Sequence, residues 1–143
     1  MNACTFFGHR DCDLKIDHQL LLAIEDMICH HSVDTFYLGS QGNFDRMALA
    51  ALNKIKIMYP HISYYIVNAY RPTNNNAVSN APTVYPDGLE NIPGKFAISW
   101  RNNWMLQQSN YVIAYINHSW GGASQFVRKA IRQKKHVINL GHA

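Results

Sequence analysis

The stretch that decides the fold is YVIAYINHSWGGASQFVRKAIR, residues 111–132. Its first six residues are apolar and rich in aromatic and β-branched side chains, which is typical of a buried strand. Beyond the pair Gly121 and Gly122, apolar residues recur at helical spacing, and these are Ala123, Phe126, Val127, Ala130 and Ile131. A strand that passes through a glycine turn into an amphipathic helix predicts an α/β unit.

The same alternation of strands and helices runs through the rest of the chain. Strands are predicted at residues 5–7, 35–38, 64–69, 111–116 and 136–140, and helices at 14–28, 44–55, 97–108 and from Gly122 onwards. Five buried strands separated by helices predict a mostly parallel sheet that is covered on both faces. Residues 70–95 hold four of the five prolines and are predicted to form a functional loop or to be partly disordered. Residues 1–143 are expected to form one domain.

Composition excludes several classes of protein. Apolar residues make up 48% of the chain and charged residues 15%, as in ordinary globular proteins. No run of about 20 apolar residues and no basic-then-apolar leader is present, so we expect no membrane span and a cytoplasmic location. Cys4, Cys12 and Cys29 form no CxxC pair, which favours free thiols. The histidine spacings give no metal motif, and we expect neither a metal nor a cofactor.

Charge is unevenly distributed along the chain. All nine acidic residues lie at or before Glu90, whereas residues 91–143 hold seven Lys or Arg and no carboxylate. Five of these seven cations crowd the end of the last helix, where cations complement the helix dipole. We prefer this explanation to nucleic-acid binding, because no further nucleic-acid motif accompanies the basic residues.

Glycine and polar residues accumulate just after the predicted strands. In parallel sheets, ligands bind beyond the carboxyl ends of the strands, at the point where the strand order reverses. The residues that the sequence places there are Gly8, His9 and Arg10 after the first strand, Gly39, Ser40, Gln41 and Gly42 after the second, Arg71 after the third, and His118, Ser119, Trp120, Gly121, Gly122 and Ala123 after the fourth. The sequence therefore predicts a ligand site at this edge.

The residue types in this set point to a phosphorylated ligand. Two glycine loops that open helices, Gly39–Gly42 and Ser119–Gly122, offer backbone N–H groups to an anion, although each glycine could also serve a tight turn alone. Arg10 and Arg101 are candidates to grip a phosphate in a bidentate manner. Trp100, Trp120 and Tyr70 are candidates to stack on a base.

Four other side chains admit more than one explanation. Asp45 follows the first glycine loop and could bind ribose hydroxyls or simply complement a helix start. His9 and His118 could contact a ligand, act as proton donors, or be solvated loop residues. Cys12 near His9 and Arg10 could be an activated thiol, but no general base stands at a fixed spacing from it.

Four ordered blocks of the sequence resemble a small group within the SLOG superfamily. The blocks are TFFGHRDC (5–12), FYLGSQGNFD (36–45), FAISWRNNWM (96–105) and HSWGGA (118–123). The resemblance covers nearly the whole chain and implies a Rossmann-like, three-layer fold. The superfamily includes the Lonely Guy phosphoribohydrolases, the DprA domain and ligand-sensing domains of bacterial immunity proteins, and its members are commonly homo-oligomers.

The resemblance also implies what this chain lacks. Lonely Guy enzymes use an arginine, in whose place Arg101 stands, and a glutamate shortly after the paired glycines. Residues 125–128 hold no carboxylate where that glutamate should fall. The resemblance thus implies a protein that senses or sequesters a nucleotide-derived phosphorylated molecule, such as an ADP-ribose-type or cyclic signalling nucleotide. Its role would be in anti-phage immunity, either as a bacterial protein or as a phage protein in the cytoplasm of the infected host. The alternative is an N-glycoside hydrolase or transferase that recruits Glu90 or Asp45.

Overall fold

The computed structural model describes residues 2–70 and 82–141, and it has a six-stranded sheet flanked by helices. The strands are β1 (Ala3–Gly8), β2 (Thr35–Leu38), β3 (Ser63–Val67), β4 (Thr83–Val84), β5 (Tyr111–Tyr115) and β6 (His136–Asn139). The helices are α1 (Asp17–His31), α2 (Gly42–Met58), α3 (Ala97–Gln108) and α4 (Gly122–Arg132). Every strand pair is parallel, and the spatial order is β4-β3-β2-β1-β5-β6.

Two hydrophobic clusters lie on opposite faces of the sheet and create three layers. Because successive side chains of a strand point to opposite faces, Phe6 packs in one cluster and Phe7 in the other. The first cluster lies under α1 and α2, which supply Leu20, Ile24, Leu52 and others. The second lies under α3 and α4, through Met105 and Phe126 among others. The predicted α/β, three-layer architecture is confirmed.

Local differences from the prediction have simple causes. Five strands were expected and six are present, because β4 lies within the segment that composition alone marks as a loop. Helix α1 begins at Asp17, after a 3-10 turn over Leu14–Ile16 that Asp13 caps through the Lys15 N–H. Ile131 was expected to face inward but is 59% exposed.

The strand order places one reversal between β1 and β5. From β1 the chain moves outward through β2 and β3 to β4, and it then crosses back to add β5 and β6 on the other side. The carboxyl ends of β1 and β5 are therefore where a parallel sheet of this kind opens a crevice.

Candidate functional site

A cleft of about 420 Å³ opens at the reversal between β1 and β5. It gathers residues from four connections that are far apart in the sequence. The predicted site residues that line it are Gly8, His9, Arg10, Gly39, Gln41, Asp45, Arg101, His118, Trp120, Gly121, Gly122 and Ala123. Both glycine loops thus face one cleft.

The first turn of α4 presents free backbone donors to this cleft. Gly121 has φ +97°, a conformation that favours glycine, and its carbonyl accepts the Gln125 N–H at 3.2 Å. No acceptor among the described residues meets the N–H groups of the first three helical residues, no side chain caps the helix, and no acidic residue stands in this turn. The helix dipole and these donors together favour an anion.

At the start of α2, the protein itself occupies two of the backbone donors. The Gln41 N–H donates to Asp45 Oδ2 at 2.8 Å, and the Asn43 N–H donates to the Arg10 carbonyl at 2.8 Å. A Cβ at Gly42 would lie 2.5 Å from the Arg10 Cα, so this glycine permits a close approach of two loops. The phosphate role predicted for Gly39–Gly42 stays a prediction.

Arg101 is the largest buried side chain of the site, with 2% of its surface exposed. Its Nη1 donates to the Val67 carbonyl at 2.9 Å and its Nε to Asn102 Oδ1 at 2.8 Å, so α3 is fixed to the end of β3. A Cβ at Gly39 would lie 2.9 Å from both the Arg101 guanidinium and Asp45 Oδ2, which shows how closely the two charges flank this glycine. Burial lowers the pKa of Arg101, and Asp45 opposes that shift.

Asp45 carries a perturbed carboxyl group on the cleft wall. Burial raises the pKa of Asp45 to about 6, against the stabilising effects of the Gln41 N–H, Arg101 and Arg10 on the carboxylate. A cleft carboxyl that titrates near neutrality is typical of functional sites. Its hydrogen bond to Gln41 also gives it the structural role expected at a helix start.

His9, His118 and Trp120 form a continuous stack along one wall. The ring centroids of His9 and His118 lie 3.5 Å apart at 12°, and those of His118 and Trp120 lie 3.8 Å apart at 17°. The Asn117 N–H donates to His9 Nε2 at 3.2 Å, which places the His9 proton on Nδ1. Burial and the neighbouring His118 lower the pKa of His9, while Asp11 opposes the shift. His9 is therefore neutral at pH 7. It is also buried, in contrast to the alternative that it is a solvated loop residue.

Several predicted residues do not line the cleft. Among the described residues, Ser40, Gly42 and Ser119 are absent from its wall, and the Ser119 carbonyl instead accepts Arg128 Nη1 at 2.9 Å. Glu90 is exposed on a 3-10 turn over Leu89–Asn91 and is likewise absent from the wall. Arg71 lies outside the described residues.

The structure adds wall residues that the sequence reasoning missed. Asp11 and Asn102 each follow a predicted arginine directly, so adjacency in the sequence could have pointed to them. The apolar floor includes Phe6, Phe7 and Met105, which sequence periodicity assigns to the core and which only the packing of α3 brings to the cleft.

The structure also bears on the reactivity of Cys12, on metal binding and on membrane-spanning helices. Cys12 is buried with Sγ 3.7 Å from Met47 Sδ, and burial raises the pKa of Cys12 to about 11, so it is a neutral thiol. Within residues 2–70 and 82–141, no three His, Cys, Asp or Glu side chains are grouped so as to hold a metal ion. No helix in this part of the chain is both long and apolar enough to cross a membrane.

The architecture and the position of the cleft define a Rossmann-like α/β protein. The solved structure of DNA processing protein A (DprA) from Streptococcus pneumoniae is similar to it, with a TM-score of 0.66 and 14% sequence identity over 97% of this chain. The chain spans half the length of that DprA chain. This likeness shows the fold. No family model and no curated protein matches the sequence.

Proposed function

We propose that this protein binds a nucleotide-derived phosphorylated small molecule in the cleft between β1 and β5, in order to sense or sequester it. One observation carries the proposal: the uncapped first turn of α4 directs free N–H donors at a cleft that also holds Arg10 and Arg101. A phosphate is the ligand that such donors and guanidinium groups favour together.

The dimensions of the cleft support a ligand of this class. Its volume of about 420 Å³ falls within the ~300–1,000 Å³ typical of small-molecule sites. The apolar floor, with Phe7 and Met105, suits the non-phosphate part of a nucleotide. An ADP-ribose-type or cyclic signalling nucleotide, in an anti-phage role, follows from the SLOG resemblance.

Binding without conversion is favoured by the placement of the carboxylates. The first turn of α4 has none, and Glu90 is not on the cleft wall. Asp11 and Asp45 are the wall carboxylates among the described residues, and Asp45 is already hydrogen-bonded to the Gln41 N–H.

A second candidate is an N-glycoside hydrolase or transferase that uses Asp45. The observation that favours it is the position of Asp45 on the cleft wall with a pKa raised to about 6. A carboxylate next to the anomeric carbon stabilises or traps the oxocarbenium-like state of glycosidic cleavage.

Mass spectrometry separates the two candidates. The protein is incubated with AMP, ADP-ribose or a cyclic dinucleotide, and the mixture is analysed before and after heat denaturation. Intact nucleotide that is released only by heat supports sequestration. Free base that accumulates with time, and that Asp45→Asn abolishes, supports the enzyme.

Gly122→Val tests the anion site with little effect on folding. A Cβ at Gly122 meets nothing within 4 Å, so valine would project into open space at the helix start and obstruct ligand approach. A ligand present at 100 times its Kd should raise the unfolding free energy of the wild type by about 2.7 kcal/mol. It should not change the unfolding free energy of this variant. Thermal melts with and without the nucleotide measure the difference.

Matched variants control for volume and charge. Gly94→Val is also in open space but away from the cleft, and it should keep the full melting shift. Arg10→Ala should weaken the shift, whereas Arg132→Ala, the same charge change at the far end of α4, should not. Equal melting shifts in Gly122→Val and Gly94→Val would refute the phosphate position.

A further inference from the structure

The stack of His9, His118 and Trp120 is not used by the phosphate site. His118 has a ring on each face, at 3.5 Å and 3.8 Å, so Trp120 forms the end of the stack. Trp120 is 69% exposed, lines the cleft, and no aromatic ring of the described residues covers its other face. An exposed indole backed by two rings is a flat apolar surface beside a polar cleft.

Hydrogen bonds to the backbone hold this stack in place. The Asn117 N–H donates to His9 Nε2, and Ser124 Oγ donates to the His118 carbonyl at 2.7 Å. His118 Nδ1 is buried and has no hydrogen-bond partner among the described residues. Leaving such an atom unsatisfied is costly, so the position of this ring depends on its contacts with His9 and Trp120 and not on a hydrogen bond from Nδ1.

We infer that the outer face of Trp120 takes the planar base of the ligand, while its phosphate lies at the start of α4. This inference rests on the proposed function and adds a requirement for an aromatic base. Trp120 and Gly122 are two residues apart, so their Cα atoms are at most about 7 Å apart. This upper limit is compatible with one ribose between a base on Trp120 and a 5′-phosphate at the start of α4.

Calorimetric affinities for two probes test the inference. AMP and ribose 5-phosphate share the phosphate and the sugar, and AMP alone has the base. Base stacking on an aromatic side chain should make AMP bind about 5- to 150-fold more tightly than ribose 5-phosphate. Trp120→Ala should reduce the AMP affinity to the level of ribose 5-phosphate and leave ribose 5-phosphate within twofold of the wild type. Trp120→Phe should retain most of the difference.

A fluorescence measurement adds an independent readout. In a Trp100→Phe, Trp104→Phe background, Trp120 is the remaining indole, and AMP should quench it whereas ribose 5-phosphate should not. Equal affinities for the two probes, or an equal loss of both in Trp120→Ala, would overturn the inference while the phosphate site stands. If neither probe binds, the inference fails, and if ADP-ribose and a cyclic dinucleotide do not bind either, the proposed function fails as well.

Discussion

At the scale of single residues, Asp45 is subject to two opposing effects. Burial raises its pKa to about 6, and the Gln41 N–H together with two guanidinium groups favours the charged form less strongly than burial disfavours it. Near pH 7 the carboxyl is mostly ionised and partly balances Arg101, so a phosphate entering the cleft meets less net positive charge than the arginines alone would give.

The raised pKa of Asp45 fixes a sign for the dependence of stability on pH. Between its ordinary value and about 6, the folded state binds more protons than the unfolded state, so stability falls as pH rises through this window. Linkage limits the loss to about 3 kcal/mol. Urea denaturation of wild type and Asp45→Asn from pH 4 to pH 7.5 measures it. As pH rises, the wild type should lose stability relative to Asp45→Asn. The variant also lacks a charge beside Arg101, but that loss changes its stability by the same amount at every pH and does not alter the trend.

At the scale of elements, the connection from β5 to α4 is held by its own helix. Ser124 Oγ donates to the His118 carbonyl, and Arg128 Nη1 donates to the Ser119 carbonyl, so two side chains of α4 restrain the loop that carries Trp120. A loop fixed in this way is preorganised, and a ligand pays less entropy to order it.

Ser124→Ala should separate this restraint from general stability. The loss of a buried hydrogen bond should cost about 1–2 kcal/mol of unfolding free energy, and AMP affinity should fall because the loop is less ordered. Ser109→Ala is the matched control: its Oγ donates to the Met105 carbonyl at 2.8 Å, and it lies at the opposite end of β5. We expect similar stability losses and an affinity loss in Ser124→Ala alone. Equal affinities in both variants would show that the restraint does not serve binding.

The bounds of some single elements could be predicted from the sequence, and contacts between elements could not. The bounds of β2 and α3 agree with the prediction, because Gly39 closes the short run of β2 and α3 lies between the proline-rich segment and the apolar run of β5. Strand β4 has only two residues, too few to show an alternation. The glycine loop before α2 looks like the one before α4 in sequence, yet only the folded chain brings Asp45 and the Arg10 carbonyl onto its N–H groups.

The predicted oligomer illustrates the same limit. Exposed aromatic rings would favour an interface, but the Trp104 ring packs against Tyr37 with centroids 5.3 Å apart, and the Tyr111 ring packs against His31 at 5.2 Å. Internal packing accounts for these rings, and the homo-oligomer stays a prediction that sedimentation can test.

At the scale of the whole molecule, positive charge lies at two opposite edges of the sheet. Arg10 and Arg101 are at the carboxyl edge, whereas Arg132, Lys134 and Lys135 precede β6, whose first residue pairs with the first residue of β5 at the amino edge. The length of α4, about 15 Å, separates the two groups, which exceeds the Debye length of about 8 Å at physiological salt.

This separation predicts that the basic C-terminal cluster does not drive nucleotide capture. Replacing Arg132, Lys134 and Lys135 by glutamine should leave AMP affinity within twofold at 150 mM salt. It should also remove any binding to a 20-base-pair DNA, which would weaken steeply with salt because it depends on phosphate contacts alone. Calorimetry and electrophoretic mobility shift assays from 50 to 300 mM salt measure both. DNA binding that survives this triple substitution and disappears in Arg10→Ala would place nucleic acid at the cleft edge, and the small-molecule proposal would then be wrong.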